Sequence, residues 1–363
     1  MRRVPFLFFS FLLCFAAGGA CQTVPAVHAW PTADGTVVLK DFRFGTGQTL
    51  PELRLHYLTL GTPHRNAGGH VDNAVLLLHG TGGDAHSLLN PIFSNVLFVP
   101  GGVLDIHKYF IILPDDIGHG QSSKPSDGLH ARFPAHDYDD MVRSQRMMLD
   151  HMHVDHLRLI LGTSMGCMQS FVWGEAYPDF MDALAPFACL PVEIAGRNRM
   201  MRYMAIKAIK ADPAWMNGEY KTEPLQGLRT ANDLILVMGS SALQMQKRFP
   251  RRHSAEAFID AFDKRIDELD ANDMLFYLDA SRNYDPSAYL EKIVAPVLWI
   301  NSADDYINPP QLGIAEREVK RMSHARFILL PISDRTRGHG THTEAAVWKD
   351  YLAEFMRATE PKP

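Results

Sequence analysis

Three residue types placed far apart in the chain have the chemistry to break or transfer an acyl group. Ser164 stands in Gly162-Thr163-Ser164-Met165-Gly166, a G-x-S-x-G pentapeptide. Serine is a poor nucleophile at neutral pH, so it needs a base in contact and a carboxylate to hold that base in the right tautomer. Asp305, within Asn301-Ser302-Ala303-Asp304-Asp305-Tyr306-Ile307-Asn308-Pro309-Pro310, and His339, within Gly338-His339-Gly340-Thr341-His342, supply those types in the order serine, acid, histidine. Asp304 and His342 are their neighbouring rivals, read here as solvent-facing or supporting groups. A tetrahedral intermediate also needs two fixed N–H donors for its oxyanion. The Met165 amide, directly after the serine, is one. The Thr81 amide, in His79-Gly80-Thr81-Gly82-Gly83, is the other, and His79 reads as a residue that bonds loop backbone.

Such groups work only if strands and helices deliver them to one edge. Ala74 to Leu78, Tyr109 to Leu113, Leu157 to Leu161, Ala183 to Ala188, Val297 to Ile300 and Arg326 to Leu330 are apolar runs expected of strands covered on both faces. Val37 to Phe42 and Leu53 to Leu60 alternate, as strands at a sheet edge do. Helices are predicted over Tyr138 to His151, Cys167 to Tyr177 and Thr343 to Thr359. Strands alternating with helices imply a parallel sheet, with the serine in the tight turn between its strand and helix. From 190 to about 290 the pattern turns helical and rich in Met, Arg and Lys, broken by Pro213, Pro224 and Pro250. That stretch interrupts the sheet as an inserted lid would. Its methionines Met200, Met201 and Met204 read as packing residues or as the wall of an acyl pocket.

The 363 residues, 46% hydrophobic and 21% charged, suit a large α/β domain with an insertion, and a net charge of −5 gives no reason to expect a nucleic-acid partner. Residues 1–20 read as a signal peptide, with Arg2 and Arg3 ahead of an apolar stretch and Gly18-Gly19-Ala20 before a cleavage point. A periplasmic or secreted location follows. Cys21 would then begin the mature chain, which raises a lipid anchor, although Gly18 stands where a lipobox carries Leu. Cys167 and Cys189 are expected as two small buried thiols, with a disulfide the alternative. Asp150-His151-Met152-His153-Val154-Asp155-His156 reads as a solvated loop rather than a metal cluster.

With these residues in place, the chain resembles an α/β-hydrolase of the homoserine O-acetyltransferase-like group over most of 40–355. His79 to His86 resembles that family's oxyanion loop, Asp140 to Gln145 its helix before the elbow strand, and Gly162 to Gln169 its G-x-S-M-G-x-M-Q elbow. Ala211-Asp212-Pro213-Ala214-Trp215 and Asp270 to Leu275 resemble parts of its lid. Asp305 to Pro310 matches its D-x-x-x-P-P, which favours Asp305 over Asp304. The resemblance implies an α/β-hydrolase fold: a mostly parallel, doubly wound sheet in two parts, 36–189 and 291–360, with a helical lid inserted at 190–290. Two departures bear on substrate. The family usually carries Asp after the histidine and a Tyr-Arg pair in the lid, where this chain has Gly340 and Met238-Gly239-Ser240-Ser241. Arg143 and Arg197 are left as anion partners, with surface or helix packing as their other reading. A leader peptide places the enzyme away from acetyl-CoA, so the expectation is a serine hydrolase for a small-molecule ester or thioester. An acyltransferase is the alternative, and a non-enzymatic binding protein on this fold is the remote one. No metal or organic cofactor is implied. A homodimer is left open.

Overall fold

A computed structural model describes residues 29–360. The expected leader and Cys21 lie outside them. Eight strands form one sheet: β1 (Ala33–Arg43), β2 (Thr49–Leu60), β3 (Ala74–Leu78), β4 (Phe110–Pro114), β5 (Leu159–Thr163), β6 (Leu184–Phe187), β7 (Val297–Ser302) and β8 (Ala325–Leu330). Their spatial order is β1-β2-β4-β3-β5-β6-β7-β8. The β1–β2 and β2–β4 pairs are antiparallel and all the others parallel.

Every residue of β3 to β7 is buried, because the sheet is covered on both sides. Alternate residues face opposite layers. Leu76 and Leu78 meet one apolar cluster, and Val75 and Leu77 the other. On the second side lie α1 (Pro91–Leu97) and the C-terminal helix. On the first side lie α2 (Tyr138–His151) and α3 (Met165–Ala176). Asp137 caps α2 by accepting from the Asp140 N–H, satisfying an otherwise orphaned donor. Helix α3 is buried almost all round, as its nearly uniform apolar sequence requires.

Between β6 and β7 the chain forms α4 (Gly196–Ala211), α5 (Leu225–Gly239), α6 (Ala242–Arg248), α7 (Arg252–Asp263) and α8 (Ala271–Asp279). These helices share a small core of their own, including Ile206, Ile209, Leu228, Met274 and Leu278. Asp273 of α8 ties them to the body by accepting from the Ser126 N–H at 2.9 Å and the Ser126 hydroxyl at 2.7 Å. The methionine stripe divides by helical phase. Met201 faces inward with Arg202, Ala205 and Ile209, whereas Met200 and Met204 are exposed, so the expectation that all three pack is corrected. After β7 come α9 (Ile314–Glu318) and α10 (Ala345–Ala358), whose Ala345, Trp348, Leu352 and Met356 repeat at helical spacing and close the second layer.

The expectation of two free thiols is also overturned. Cys167 and Cys189 form a disulfide, with 5.8 Å between their Cα atoms. The pairing follows from sheet order. β6 lies beside β5, so the residue just past β6 reaches the first turn of the helix that β5 feeds. Closing a loop of this length removes denatured-state entropy worth about 3 kcal/mol. Replacing both cysteines by alanine, or reducing the wild type, is therefore expected to lower unfolding free energy by about that amount in urea titrations. An identical midpoint before and after reduction would show the sulfurs to be unpaired.

Candidate active site

The chain leaves β5 at Thr163 and enters α3 at Met165, so Ser164 makes the whole turn, with φ +55° and ψ −106°. A side chain in this region is strained and needs a rigid surround. Two close approaches supply it. A Cβ on Gly162 would lie 1.9 Å from the Gly166 carbonyl oxygen, and one on Gly166 would lie 2.3 Å from that of Leu78. Only glycine fits at either place. The Ser164 N–H donates to Phe187 O at 2.9 Å, and the Gly166 N–H to His79 O at 3.0 Å, locking the turn to two neighbouring strand ends.

The structure brings Ser164, His339 and Asp305 into one hydrogen-bonded line. His339 Nε2 lies 2.7 Å from Ser164 Oγ, and His339 Nδ1 lies 2.8 Å from Asp305 Oδ2. Asp305 is fully buried, yet its other oxygen accepts from the Ile307 N–H at 2.8 Å and the Asn308 N–H at 3.2 Å, while the Asn308 amide donates to Oδ2 at 2.9 Å. Burial alone pushes a carboxyl up; the His339 ring and these donors outweigh it and hold Asp305 below its ordinary value. It is therefore ionised and aimed at Nδ1, which turns Nε2 toward the serine hydroxyl.

Of the two readings given to the rivals, the structure favours the supporting one over the solvent-facing one. Asp304 is buried rather than solvent-facing. It accepts from the Gly338 N–H at 3.0 Å, the Thr336 hydroxyl at 3.1 Å and the Ser302 hydroxyl at 2.5 Å, and so anchors the loop that carries His339. His342 is buried behind His339, with ring centroids 5.3 Å apart. Burial first, and the His339 ring beside it, lower its pKa to about 3, so it stays neutral.

His79, Gly80 and Thr81 pass close to the serine. A Cβ on Gly80 would be 3.3 Å from Ser164 Cβ. His79 bonds backbone, its Nδ1 to Gly80 O at 2.8 Å and its Nε2 accepting from the Asp116 N–H at 3.3 Å. Among the described residues neither the Thr81 nor the Met165 amide has an acceptor, and the Thr81 hydroxyl is also buried without a partner. Unspent donors beside a nucleophile can hold a developing oxyanion.

A cavity of about 240 Å³ opens from Ser164 and His339. Its walls are mostly apolar, among them Met168, Leu190, Val192, Ile307, Leu312 and Ile314, with Cys189 of the disulfide in the wall. Arg197 stands at its rim, exposed, donating to Tyr306 O at 3.2 Å and lying 5.7 Å over the Tyr306 ring. Arg143 does not line it. Its guanidinium is held by Asp140 at 2.7 Å, by Arg43 O and by the Phe42 ring, so its expected anion role gives way to helix-to-β1 packing. In the run 150–156, read from sequence as a solvated loop, the side chains form separate pairs, His156 with Asp182 at 2.8 Å and Asp155 with His70.

Sequence reasoning gave no role to Asn308, Arg202 or a fully buried network behind the elbow. In that network Gln145 and Gln169 hold Asp116 at 2.5 and 2.7 Å, and the Trp173 indole donates to Gln145 at 2.7 Å. Burial raises the Asp116 carboxyl despite these donors. A signal existed, since Gln145 and Gln169 end two of the segments that carry the resemblance.

Comparison with known proteins agrees with this architecture. The model of the α/β-hydrolase fold family matches residues 73–330. A homoserine O-acetyltransferase of Moorella thermoacetica is 31% identical over 330 residues, spanning 78% of this chain and 85% of that protein. Among solved structures, homoserine O-acetyltransferase from Bacillus anthracis superposes with a TM-score of 0.78 at 22% identity, covering 90% of this chain and 97% of that one. An acetylester hydrolase from Corynebacterium glutamicum does so at 0.77 and 22%, covering 90% and 96%. At such identities the structural likenesses speak to the fold. The family model and the sequence relatives go further: the chain belongs to the α/β-hydrolase fold family, in its homoserine O-acetyltransferase-like group, and is an enzyme of the acyl-transferring or ester-cleaving kind.

Proposed function

We propose that the protein is an exported serine hydrolase that cleaves a small carboxylic ester or thioester through an acyl-enzyme on Ser164. The observation that carries this reading is the line Asp305–His339–Ser164, opening on an apolar cavity of about 240 Å³. Ser164 Oγ attacks the carbonyl carbon while its proton passes to His339 Nε2. Asp305 holds the imidazolium, and the Thr81 and Met165 amides receive the oxyanion. The intermediate collapses as the imidazolium gives its proton to the departing alcohol or thiol. Water then attacks the acyl-serine, with His339 as base, and releases the carboxylic acid and free Ser164. The cavity lies below the ~300–1,000 Å³ of drug-sized ligand sites, which suits a short acyl ester.

Two observations favour water over an amino-acid acceptor. The position after His339 is Gly340, where a Cβ would meet only Arg337 Cβ at 3.7 Å; there is room for a carboxylate side chain and none is present. Gly239 and Ser240 stand where the family carries Tyr-Arg. Export is supported by the leader-like residues 1–20 and by the disulfide, which persists in oxidising compartments. Acyl transfer to homoserine from the same acyl-enzyme is the second reading, favoured by the sequence relative described above.

Ser164→Ala is expected to abolish fluorophosphonate labelling and to lower ester turnover by roughly 10³-fold or more, with Asp305→Asn comparable because the imidazole tautomer is lost. Asp304→Asn is expected to cost much less, since it disturbs only the anchoring of the histidine loop. Steady-state kinetics on a short acyl ester decide this, and a larger loss at Asp304 would shift the acid by one residue. With an acetyl ester or acetyl-CoA as donor and millimolar homoserine present, free acetate is expected to dominate the products. A majority of O-acetylhomoserine would replace the hydrolase by the transferase. N-terminal sequencing of protein from the native envelope is expected to begin at or after Cys21, and full-length cytoplasmic protein would overturn the export reading.

A further inference from the structure

Helix α4 turns Met201, Arg202, Ala205, Ile206 and Ile209 inward, an apolar stripe with one arginine in it. Arg202 is only 4% exposed and lines the cavity that opens from Ser164. Its Nε donates to Asn198 Oδ1 at 3.0 Å, and its Nη1 is buried with no hydrogen-bond partner among the described residues. Among the described residues no carboxylate pairs with it. The Tyr138 phenol of α2 lies beside the guanidinium, at the margin of hydrogen-bond reach, and burial keeps it neutral, so it supplies no opposite charge.

A buried guanidinium left in this state is unusual, because an ion taken out of water needs an opposite charge or a full set of hydrogen bonds. Arg158, equally buried and likewise with a partnerless Nη1, lies outside the cavity lining and spends its Nη2 on Met356 O at 2.7 Å and Thr359 Oγ1 at 3.2 Å, so what sets Arg202 apart is its place in the cavity wall. Arg202 faces a cavity whose other walls are nearly all apolar. Its polar neighbours there are neutral Asn198 and Asn308, with Arg197 and the exposed Glu193 at the rim. The missing partner is an anion, and the open space beside the guanidinium is the substrate's.

We propose that Arg202 binds a carboxylate of the substrate, so that the preferred ester is one that carries a free carboxylate on its acyl or its alcohol part. This rests on the reading of Ser164 as the residue that is acylated. The planar fork of the guanidinium accepts a carboxylate through two parallel hydrogen bonds, which fixes orientation as well as charge. In a site this small, holding that end fixes where the ester carbonyl lies against Ser164. Arg202 is thus a specificity residue. It takes no part in the proton transfers.

Two pairs of isosteric esters test the proposal by pH-stat titration. Monoethyl succinate against ethyl 4-methylpentanoate places the charge on the acyl side. 3-Acetoxypropanoate against isopentyl acetate places it on the alcohol side. In the wild type one charged ester is expected to exceed its neutral isostere in kcat/KM by about tenfold or more, the scale of one charge-assisted hydrogen bond. In Arg202→Met that ratio should fall to about one or below, and in Arg202→Lys part of it should return. The readout is the ratio, which a purely structural arginine would not move, and fluorophosphonate labelling of Ser164 reports whether each variant is folded. The wild-type ratio needs no variant at all. Ratios of one or less in both wild-type pairs, with Ser164 labelled normally, overturn the anion site and leave the hydrolase reading standing. So does a charged-ester preference that survives Arg202→Met. Failure to label Ser164 in the wild type, with no ester cleaved, removes the hydrolase reading and this proposal with it.

Discussion

The backbone of Ser164 is the constraint on which the rest depends. A side-chain-bearing residue with φ +55° costs about 1–3 kcal/mol and persists only where its surroundings leave no alternative. Here they do. β5 fixes the entry, a helix buried nearly all round fixes the exit, and the two flanking carbonyl contacts at Gly162 and Gly166 exclude any larger residue. The strain has a geometric return. The turn holds Oγ clear of the sheet, against His339 Nε2, while leaving the Met165 amide unspent at the start of α3.

One short segment joins the two halves of this arrangement. Phe187 O accepts the Ser164 N–H. Ala188, itself at φ +65°, donates to Ile300 O and accepts from the Asn308 amide at 3.0 Å. Asn308 in turn holds Asp305. Cys189 is bonded to Cys167, three residues past the serine, and its carbonyl accepts from Trp299 and Asn301 of β7. The end of β6 therefore fixes the serine turn and the acid loop relative to each other, although neither Ala188 nor Cys189 carries a group that reacts.

The fold was legible because its signals are local and repeated: five-residue apolar runs mark strands covered on both faces, and glycines at the two sharp approaches mark the turn. Ser164, Asp305 and His339 could be named because each follows a strand, and parallel strands deliver their ends to one edge. What escaped was set by distance in the chain. The Cys167–Cys189 bond depends on β6 lying beside β5, which composition does not reveal. Arg143 and Arg202 look alike in sequence, since both are helical arginines. Which one packs on a β1 phenylalanine and which one faces the cavity depends on helical phase relative to a neighbour not yet placed. Whether Asp304 faces solvent or supports the histidine loop was undecided for the same reason: its three donors come from Ser302, Thr336 and Gly338, two of them some thirty positions away.

An acyl-serine does not choose between water and another acceptor by its triad, because the histidine activates either one. The choice lies in what the cavity binds beside the acyl group. Its charge is carried on α4, part of the inserted helices, whereas the reacting groups sit on the sheet edge. On the proposed reading, the substrate's carboxylate joins the two: its charge neutralises Arg202 while its carbonyl lies at Ser164. The favourable term is large only when water is excluded, since a guanidinium–carboxylate pair is weak in high dielectric and strong in low. A charged ester gains this term in the buried site, and a neutral ester of the same shape leaves the guanidinium unpaired. Selectivity among esters then has one physical origin, the unpaired charge on α4.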